Sequence, residues 1–288
     1  MTKSFVHLHA HTEYSMLDGA AKIVDYLKKV KELNQPAAAI TDHGNLYGAM
    51  EFVQKANDFG IKPIIGYEAY ITPGSRFDRP DRENNKRYHL TLLAENNIGY
   101  QNLVELVSKA YTEGYYYKPR IDYELLDQHH DGLIALSGCL GGELAQHLAP
   151  DGSVEEGNTS NERSFEKALD IAKKYQSIFG KENYFIEIHN HGIKQQLDIL
   201  DDLVEIAQLI DAPLVAANDS HYVEENGAEA HDALLCVQTN RTLDDESRFR
   251  FDGSGYYVKS SEEMRKLFPE DKYPGACDNT LAIADRVK

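Results

Sequence analysis

Apolar residues recur along this chain in two alternating rhythms. Short runs at 4–9, 36–41, 62–71, 87–94, 132–137, 183–189 and 213–217 are apolar throughout or alternate with period two, as strands do. Between them lie longer stretches such as "AAKIVDYLKKVKEL", "LYGAMEFVQKANDFG", "NIGYQNLVELVSKAY", "SFEKALDIAKKYQSIFG" and "IKQQLDILDDLVEIAQLI". In the last of these, Leu197, Leu200, Leu203, Val204, Ala207 and Ile210 fall close to a 3.6-residue period, the signature of a helix with one buried face. Strands alternating with helices at this spacing predict an α/β fold, with parallel strands inside and helices outside. Seven such units suggest a closed or nearly closed barrel. No internal repeat is visible, and the one long polar insertion is 149–162. The 288 residues fit a single domain, 1–288, in which the part from about 227 to 288 reads as an extension with further helix and a "YYVKS" strand.

Composition narrows the function classes. Hydrophobic residues make up 42% of the chain and charged residues 27%, enough apolar material for a full core in an ordinary globular protein. No apolar run approaches the roughly 18 residues of a membrane span, and the start "MTKSFVHLHAH" turns polar too soon for a secretory signal. Three widely spaced cysteines argue against a disulfide framework and for a reducing cytoplasm. Acidic residues outnumber basic ones 47 to 30, a net charge of −17. A general electrostatic field therefore repels nucleic acid, so any action on DNA needs bound cations or a neighbouring domain to supply positive charge.

The ends of the strands supply the candidate chemistry, because parallel α/β barrels gather their active groups at the C-terminal ends of the strands. In chain order these positions bring His9 and His11 with Asp18 in the following loop, then Asp42-His43, Glu68, His89, Cys139, the group Glu187, His189 and His191, and finally Asp219 with His221. Singly each has a plain reading: H-x-H arises on any polar strand face, "TDHG" is an ordinary turn, and a lone cysteine is usually a small buried hydrophobe. Seven strand ends that each deliver a ligand type point instead to a metal site. Imidazole, carboxylate and thiolate together suit Zn²⁺, Mn²⁺ or Fe²⁺ and not an all-oxygen Ca²⁺ cage. Nine ligands (His9, His11, Asp18, His43, Glu68, His89, Cys139, Asp219 and His221) are enough for two or three divalent ions, with Glu68 or Asp219 bridging.

These motifs resemble a known family. "HLHAHTEYSMLDG", "ITDHGNLYGAMEF", "IKPIIGYEAYI", "YHLTLLA", "SGCLGGE", "EIHNHG", "NDSHYV" and "FRFDGSGYYVKS" are similar, in order and spacing, to the polymerase and histidinol phosphatase (PHP) domain, and most of all to the branch that opens the alpha subunit of bacterial replicative DNA polymerase III. The resemblance runs from about residue 4 to the end. It implies a distorted seven-stranded β/α barrel, three metal ions held by the nine residues named above, and the remainder of a polymerase alpha subunit as partner, with other replisome subunits beyond it.

The implied activity is metal-dependent phosphodiester hydrolysis at a single-stranded DNA 3′ end, a 3′–5′ proofreading exonuclease. Water activated by the ions is the nucleophile, and Glu68 and Asp219 bridge the metals. Two alternatives remain open: a catalytically silent, metal-stabilised scaffold that docks the polymerase core or a proofreading subunit, and a phosphomonoesterase of histidinol-phosphatase type. Asp42 and His7 are expected to support the ligands without binding metal. Arg120 is the candidate phosphate contact, with a surface pair to Asp122 as its alternative. His191 either meets substrate phosphate or caps a helix, and His189 is expected to be a satisfied polar residue. His129 and His130 are expected in solvent. The basic segment 76–87 either guides a strand to the site or is a solvated loop.

Overall fold

The computed structural model describes residues 3–81, 84–150 and 162–288. Within them the chain forms seven strands: β1 (Ala37–Ile40), β2 (Lys62–Ile71), β3 (Tyr88–Ala94), β4 (Arg120–Ile121), β5 (Leu133–Leu136), β6 (Tyr184–Ile188) and β7 (Leu214–Ala216). The sheet runs β1-β2-β3-β5-β6-β7, with β4 attached to the far end of β2. Helices α1 (Ile23–Glu32), α2 (Ala49–Phe59), α3 (Asn97–Thr112), α6 (Phe165–Phe179) and α7 (Lys194–Ile210) match the helix-like stretches of the sequence. Short α4 (Tyr123–Gln128) and α5 (Glu143–Leu148) interrupt them. The fold is an α/β barrel, distorted as expected.

Several features differ from what the sequence predicts. The sheet is mixed: β3 is antiparallel to both β2 and β5, whereas all other strand pairs are parallel. The two-residue β4 is too short to leave a periodic signal.

The second difference lies at the start of the chain. Residues 4–9 form no ladder strand. They run extended between β1 and the loop after β7: His7 and Ala10 carbonyls accept from Ala39 and Thr41 amides, while the His11 amide donates to the Ser220 carbonyl. This segment closes the curl of the sheet. Leu8 packs into the inner apolar cluster with Ala39, Ile64, Leu93, Ile134 and Val215, yet His9 meets Glu68, Glu187 and Asp219. Neighbouring residues both facing inward require a break in the two-residue alternation, which explains the missing ladder.

The tail folds back under the barrel. Ile283, Ala284 and Val287, on and just after α10 (Asp278–Arg286), join the same inner cluster as Val6 and Leu8. Preceding it, α8 (Ala228–Thr239) and α9 (Ser261–Leu267) flank an irregular stretch. The anticipated "YYVKS" strand is reduced to one bridge between Tyr222 and Tyr257. The helix α9 starts with a capping box, in which the Ser260 hydroxyl accepts from the Glu263 amide and Glu263 accepts in return from the Ser260 amide. Of the polar insertion, residues 151–161 lie outside the described residues. Among the described residues no helix is long and apolar enough to cross a membrane.

Candidate metal centre

At one end of the barrel lies a cluster of imidazoles and carboxylates, buried except for the part of His43 and Cys139 that meets the cleft above. His9 and His11 leave the closing segment, and a tight loop then brings Asp18 to His43 and His221. A Cβ on Gly19 would sit 2.0 Å from the Thr12 carbonyl oxygen, so the loop can fold onto the histidines only with glycine there. His43 follows β1, Glu68 lies within β2, and His89 is the second residue of β3. Because β3 runs against its neighbours, its start and not its end reaches the site. Cys139 follows β5. Asp219 and His221 follow β7, with Asp219 held at φ +46, a left-handed conformation that aspartate tolerates better than most residues.

The distances knit these groups into one cluster. His9 Nε2 lies 3.3 Å from both Glu68 Oε1 and Asp219 Oδ1. His11 Nε2 is 3.1 Å from the same Asp219 oxygen and 3.6 Å from Glu68 Oε2. His43 reaches Asp18 at 2.8 Å and Glu68 at 2.6 Å, and His221 Nε2 reaches Asp18 at 3.3 Å. His89 Nδ1 stands 3.1 Å from Glu68, and Cys139 Sγ 3.7 Å from both His89 and Glu68. Glu68 and Asp219 are thus the carboxylates shared by the most partners.

Tautomers follow from the hydrogen bonds on the far side of each ring. His9 Nδ1 donates to Glu187 at 2.7 Å, and His221 Nδ1 donates to the Asp219 carbonyl at 2.8 Å. His11 Nδ1 donates to Ser15 Oγ at 2.9 Å, because that hydroxyl spends its own proton on Asp42. Each ring therefore presents the lone pair of Nε2 to the carboxylates. His9 Nε2, His11 Nε2, His221 Nε2, Glu68 Oε2 and Asp219 Oδ1 are all buried without a hydrogen bond. Lone pairs facing lone pairs at about 3 Å repel one another unless a cation lies between them, so this donor set fits divalent metal.

The electrostatics agree. Burial disfavours a charged His9, but Asp219, Glu187 and Glu68 outweigh it and hold its pKa well above the usual imidazole value. Burial would raise Glu68 and Asp219, and the surrounding histidines instead hold both well below the ordinary carboxylate range. His11 is pushed down to about 3 by burial and by its neighbours His43 and His221. Burial and the adjacent carboxylates push the Cys139 thiol up to about 12, so a cation is what would make it a thiolate. The centre favours positive charge, whether protons or metal ions.

The family model described as the PHP domain matches residues 7–191. The chain belongs to the PHP domain family. It is 49% identical to DNA polymerase III subunit alpha of Thermus aquaticus, over 97% of this chain and 22% of that protein. Against the subunit of the same name from Mycobacterium tuberculosis H37Rv the identity is 47%, over 99% of this chain and 24% of that protein. The chain thus spans about a quarter of the length of these curated relatives. Among solved structures, a two-domain protein from Bacteroides vulgatus containing a predicted PHP-like metal-dependent phosphoesterase aligns over 91% of this chain and 62% of its own, with 13% identity and a TM-score of 0.42.

Several residues of this PHP domain sit otherwise than their sequence context suggests. Asp42 accepts from the Thr12 amide, the Thr12 hydroxyl and the Ser15 hydroxyl, so it acts through Ser15, whose oxygen takes both the His11 ring and the His43 amide. His7 does not share the facing of His9: its Nε2 donates to the Lys259 carbonyl at 2.9 Å, tying the tail to the closing segment. Arg120 is fully buried and donates to the Gly114, Arg76 and Asp78 carbonyls and to Asn85 Oδ1. Neither a substrate phosphate nor Asp122 is its partner; Asp122 pairs with Arg76. His191 uses both nitrogens, Nε2 on the Asn218 carbonyl and Nδ1 on Gln196, and stacks on Tyr256, so it neither caps a helix nor offers a free nitrogen to phosphate.

His129 and His130 are half-buried. Within 76–87, Arg76 and Arg79 are taken up by internal partners, Arg87 lines the cleft above the cluster, and Arg82 lies outside the described residues.

Glu187 stands among the strand-end groups in the sequence but outside the nine expected ligands, and the structure binds it into the centre. Its Oε1 holds His9, its Oε2 takes the Gly138 amide at 2.9 Å, and His189 Nε2 lies 3.0 Å away. Burial would raise its pKa, but His9 and His189 pull it down to about 2. The signal was present in "YFIEIHNHG": a carboxylate in the middle of an otherwise apolar strand needs a buried partner. A cleft of about 510 Å³ opens over the cluster, floored by Asp18, His43, His89, Cys139, Asp219 and His221.

Proposed function

We propose that this domain hydrolyses phosphoesters with two or three divalent ions held by His9, His11, Asp18, His43, Glu68, His89, Cys139, Asp219 and His221, and that its substrate is the 3′ end of single-stranded DNA. The observation that carries the reading is the convergence of the His9 and His11 Nε2 lone pairs on the shared carboxylates of Glu68 and Asp219, with His221 Nε2 facing Asp18 beside them, all beneath an open cleft. When bound, the ions supply Lewis acidity at a phosphoryl oxygen and a nucleophile drawn from water at neutral pH. The protein's part is placement. Glu187, Ser15 and the Asp219 carbonyl each fix one imidazole by its Nδ1, so the ligand atoms are oriented before any ion arrives. The mixed set of nitrogen, oxygen and sulfur donors suits Zn²⁺ or Mn²⁺, with Fe²⁺ also compatible. The rest of a polymerase alpha subunit is the natural partner of a chain that spans about a quarter of its relatives.

The test combines metal content with activity. Elemental analysis of the purified chain is expected to give two or three ions, and nucleotide release from 3′-labelled single-stranded DNA is expected with Mn²⁺ or Zn²⁺ and lost in His11→Ala. Bound ions with no cleavage of any ester would leave a metal-stabilised scaffold. Cleavage of a phosphomonoester with DNA left intact would point to a small-molecule phosphatase.

A further inference from the structure

Two cations on the walls of the cleft stand out in so acidic a chain. Acidic residues outnumber basic ones 47 to 30, yet neither Lys118 nor Arg250, which both line the cleft, has a carboxylate within ion-pair distance among the described residues; Asp232, whose field reaches Arg250, is forked by Arg248. Lys118 Nζ rests 3.3 Å from the Tyr70 hydroxyl and 5.1 Å from the centre of its ring. Arg250 makes no hydrogen bond among the described residues, whereas Arg248, two positions earlier, is forked onto Asp232. One arginine of this loop anchors it and the next is left for the cleft. Asp252 also lines the cleft and pairs with neither cation.

Each cation has aromatic company. On one wall Tyr70 stacks on His43 at 5.9 Å and carries Lys118. On the other, Phe251 packs edge-on against His221 at 4.8 Å and lies tilted on Tyr256 at 4.6 Å, and Phe249 lies 5.8 Å from Phe251 with 39% of its surface exposed. Both walls are therefore rooted on histidines of the cluster. A cation beside an aromatic face is what a polynucleotide strand meets in sequence-tolerant single-strand binding: phosphate to the charge, base to the ring. A phosphomonoester needs only the floor; a cleft of about 510 Å³ has room for more.

We propose that these walls form a clamp for single-stranded polynucleotide, in which Lys118 and Arg250 receive backbone phosphates and Phe249 and Phe251 stack a base. The clamp rests on the reading of the floor as a phosphoester centre only for where the scissile bond is placed; binding itself is separable. The test is fluorescence-anisotropy binding of a labelled single-stranded oligothymidylate to the full 288-residue chain across a salt series. The double variant Lys118→Gln/Arg250→Gln is expected to flatten the log–log salt slope by about 1.4, the share of two single-strand phosphates. Phe249→Ala is expected to weaken binding about tenfold. A charge-matched control, Lys28→Gln/Lys173→Gln on the outer faces of α1 and α6, is expected to bind like wild type.

Wild-type binding and slope in the cleft variants would overturn the clamp, as would thymidine monophosphate competing as well as the oligonucleotide. If the metal-loaded chain hydrolyses no ester while the binding pattern holds, the phosphoesterase reading falls and the clamp stands.

Discussion

Glu187→Gln tests how the centre is organised, because it changes one atom type and almost no volume. In the native side chain Oε1 accepts from His9 Nδ1 at 2.7 Å and Oε2 accepts from the Gly138 amide at 2.9 Å. A glutamine has only one acceptor oxygen for these two donors. If the amide nitrogen faces Gly138, a buried N–H is left facing a donor, at a cost of about 1–3 kcal/mol in stability. If the amide turns over, its nitrogen faces His9 Nδ1, which must shed its proton and become the acceptor. The proton then moves to Nε2, and the lone pair aimed at Glu68 and Asp219 is gone.

The turned-over amide should lower metal affinity about 10–100-fold, the usual cost of losing the group behind a histidine ligand, and the other orientation should show as lost stability with the charge behind His9 removed. Competition with a chromophoric chelator for Zn²⁺ measures the affinity. Imidazole ¹⁵N spectra report which nitrogen of His9 carries the proton. A folded Glu187→Gln protein with wild-type stability and stoichiometry, affinity within twofold, and an unchanged His9 tautomer would refute the reasoning.

Other expectations follow from the same contacts. Burial pushes His7 down to about 4, against the opposing pull of its hydrogen bond to the Lys259 carbonyl. The unfolded chain accepts this proton near 6.5 and the folded one resists it, so stability present above pH 6.5 is lost as pH falls toward 4, by ~3 kcal/mol in all. Urea denaturation of the metal-free chain over that range should show the loss, and His7→Gln should flatten it; equal slopes would place the titration elsewhere. Arg120→Met removes the donors serving three backbone carbonyls and Asn85. It should cost about 3–5 kcal/mol in denaturation free energy without altering KM, whereas a raised KM at unchanged stability would put Arg120 on the substrate. Chelation should lower Tm, since an ion present at 1,000 times its Kd adds about 4 kcal/mol. A Tm indifferent to chelator and to added Zn²⁺ or Mn²⁺ would remove the metals from the fold.

The local rules of the chain were enough for six of the strands and the long helices between them, for the helical faces such as Leu200–Leu203–Ala207, and for a ligand type in or beside most of those strands, but not for β4 or for the unladdered start at 4–9. Periodicity and side-chain chemistry are local properties, and they survive being read one segment at a time. The direction of a strand is not local. "YHLTLLA" reads the same whether it runs with or against its neighbours, and only pairing with β2 and β5 reverses it. That reversal brings His89 to the site from the beginning of its strand.

Facing is equally a matter of packing: His7, His9 and His11 sit on alternate positions, yet the alternation breaks after Leu8 and sends His7 to the Lys259 carbonyl while His9 turns to the carboxylates. Partnership decided the rest. Arg120 and Glu187 are ordinary charged residues in the sequence, and burial requires each to find partners from distant segments. The arginine becomes structural through carbonyls brought to it by the loops, and the glutamate becomes part of the centre through His9, 178 positions away.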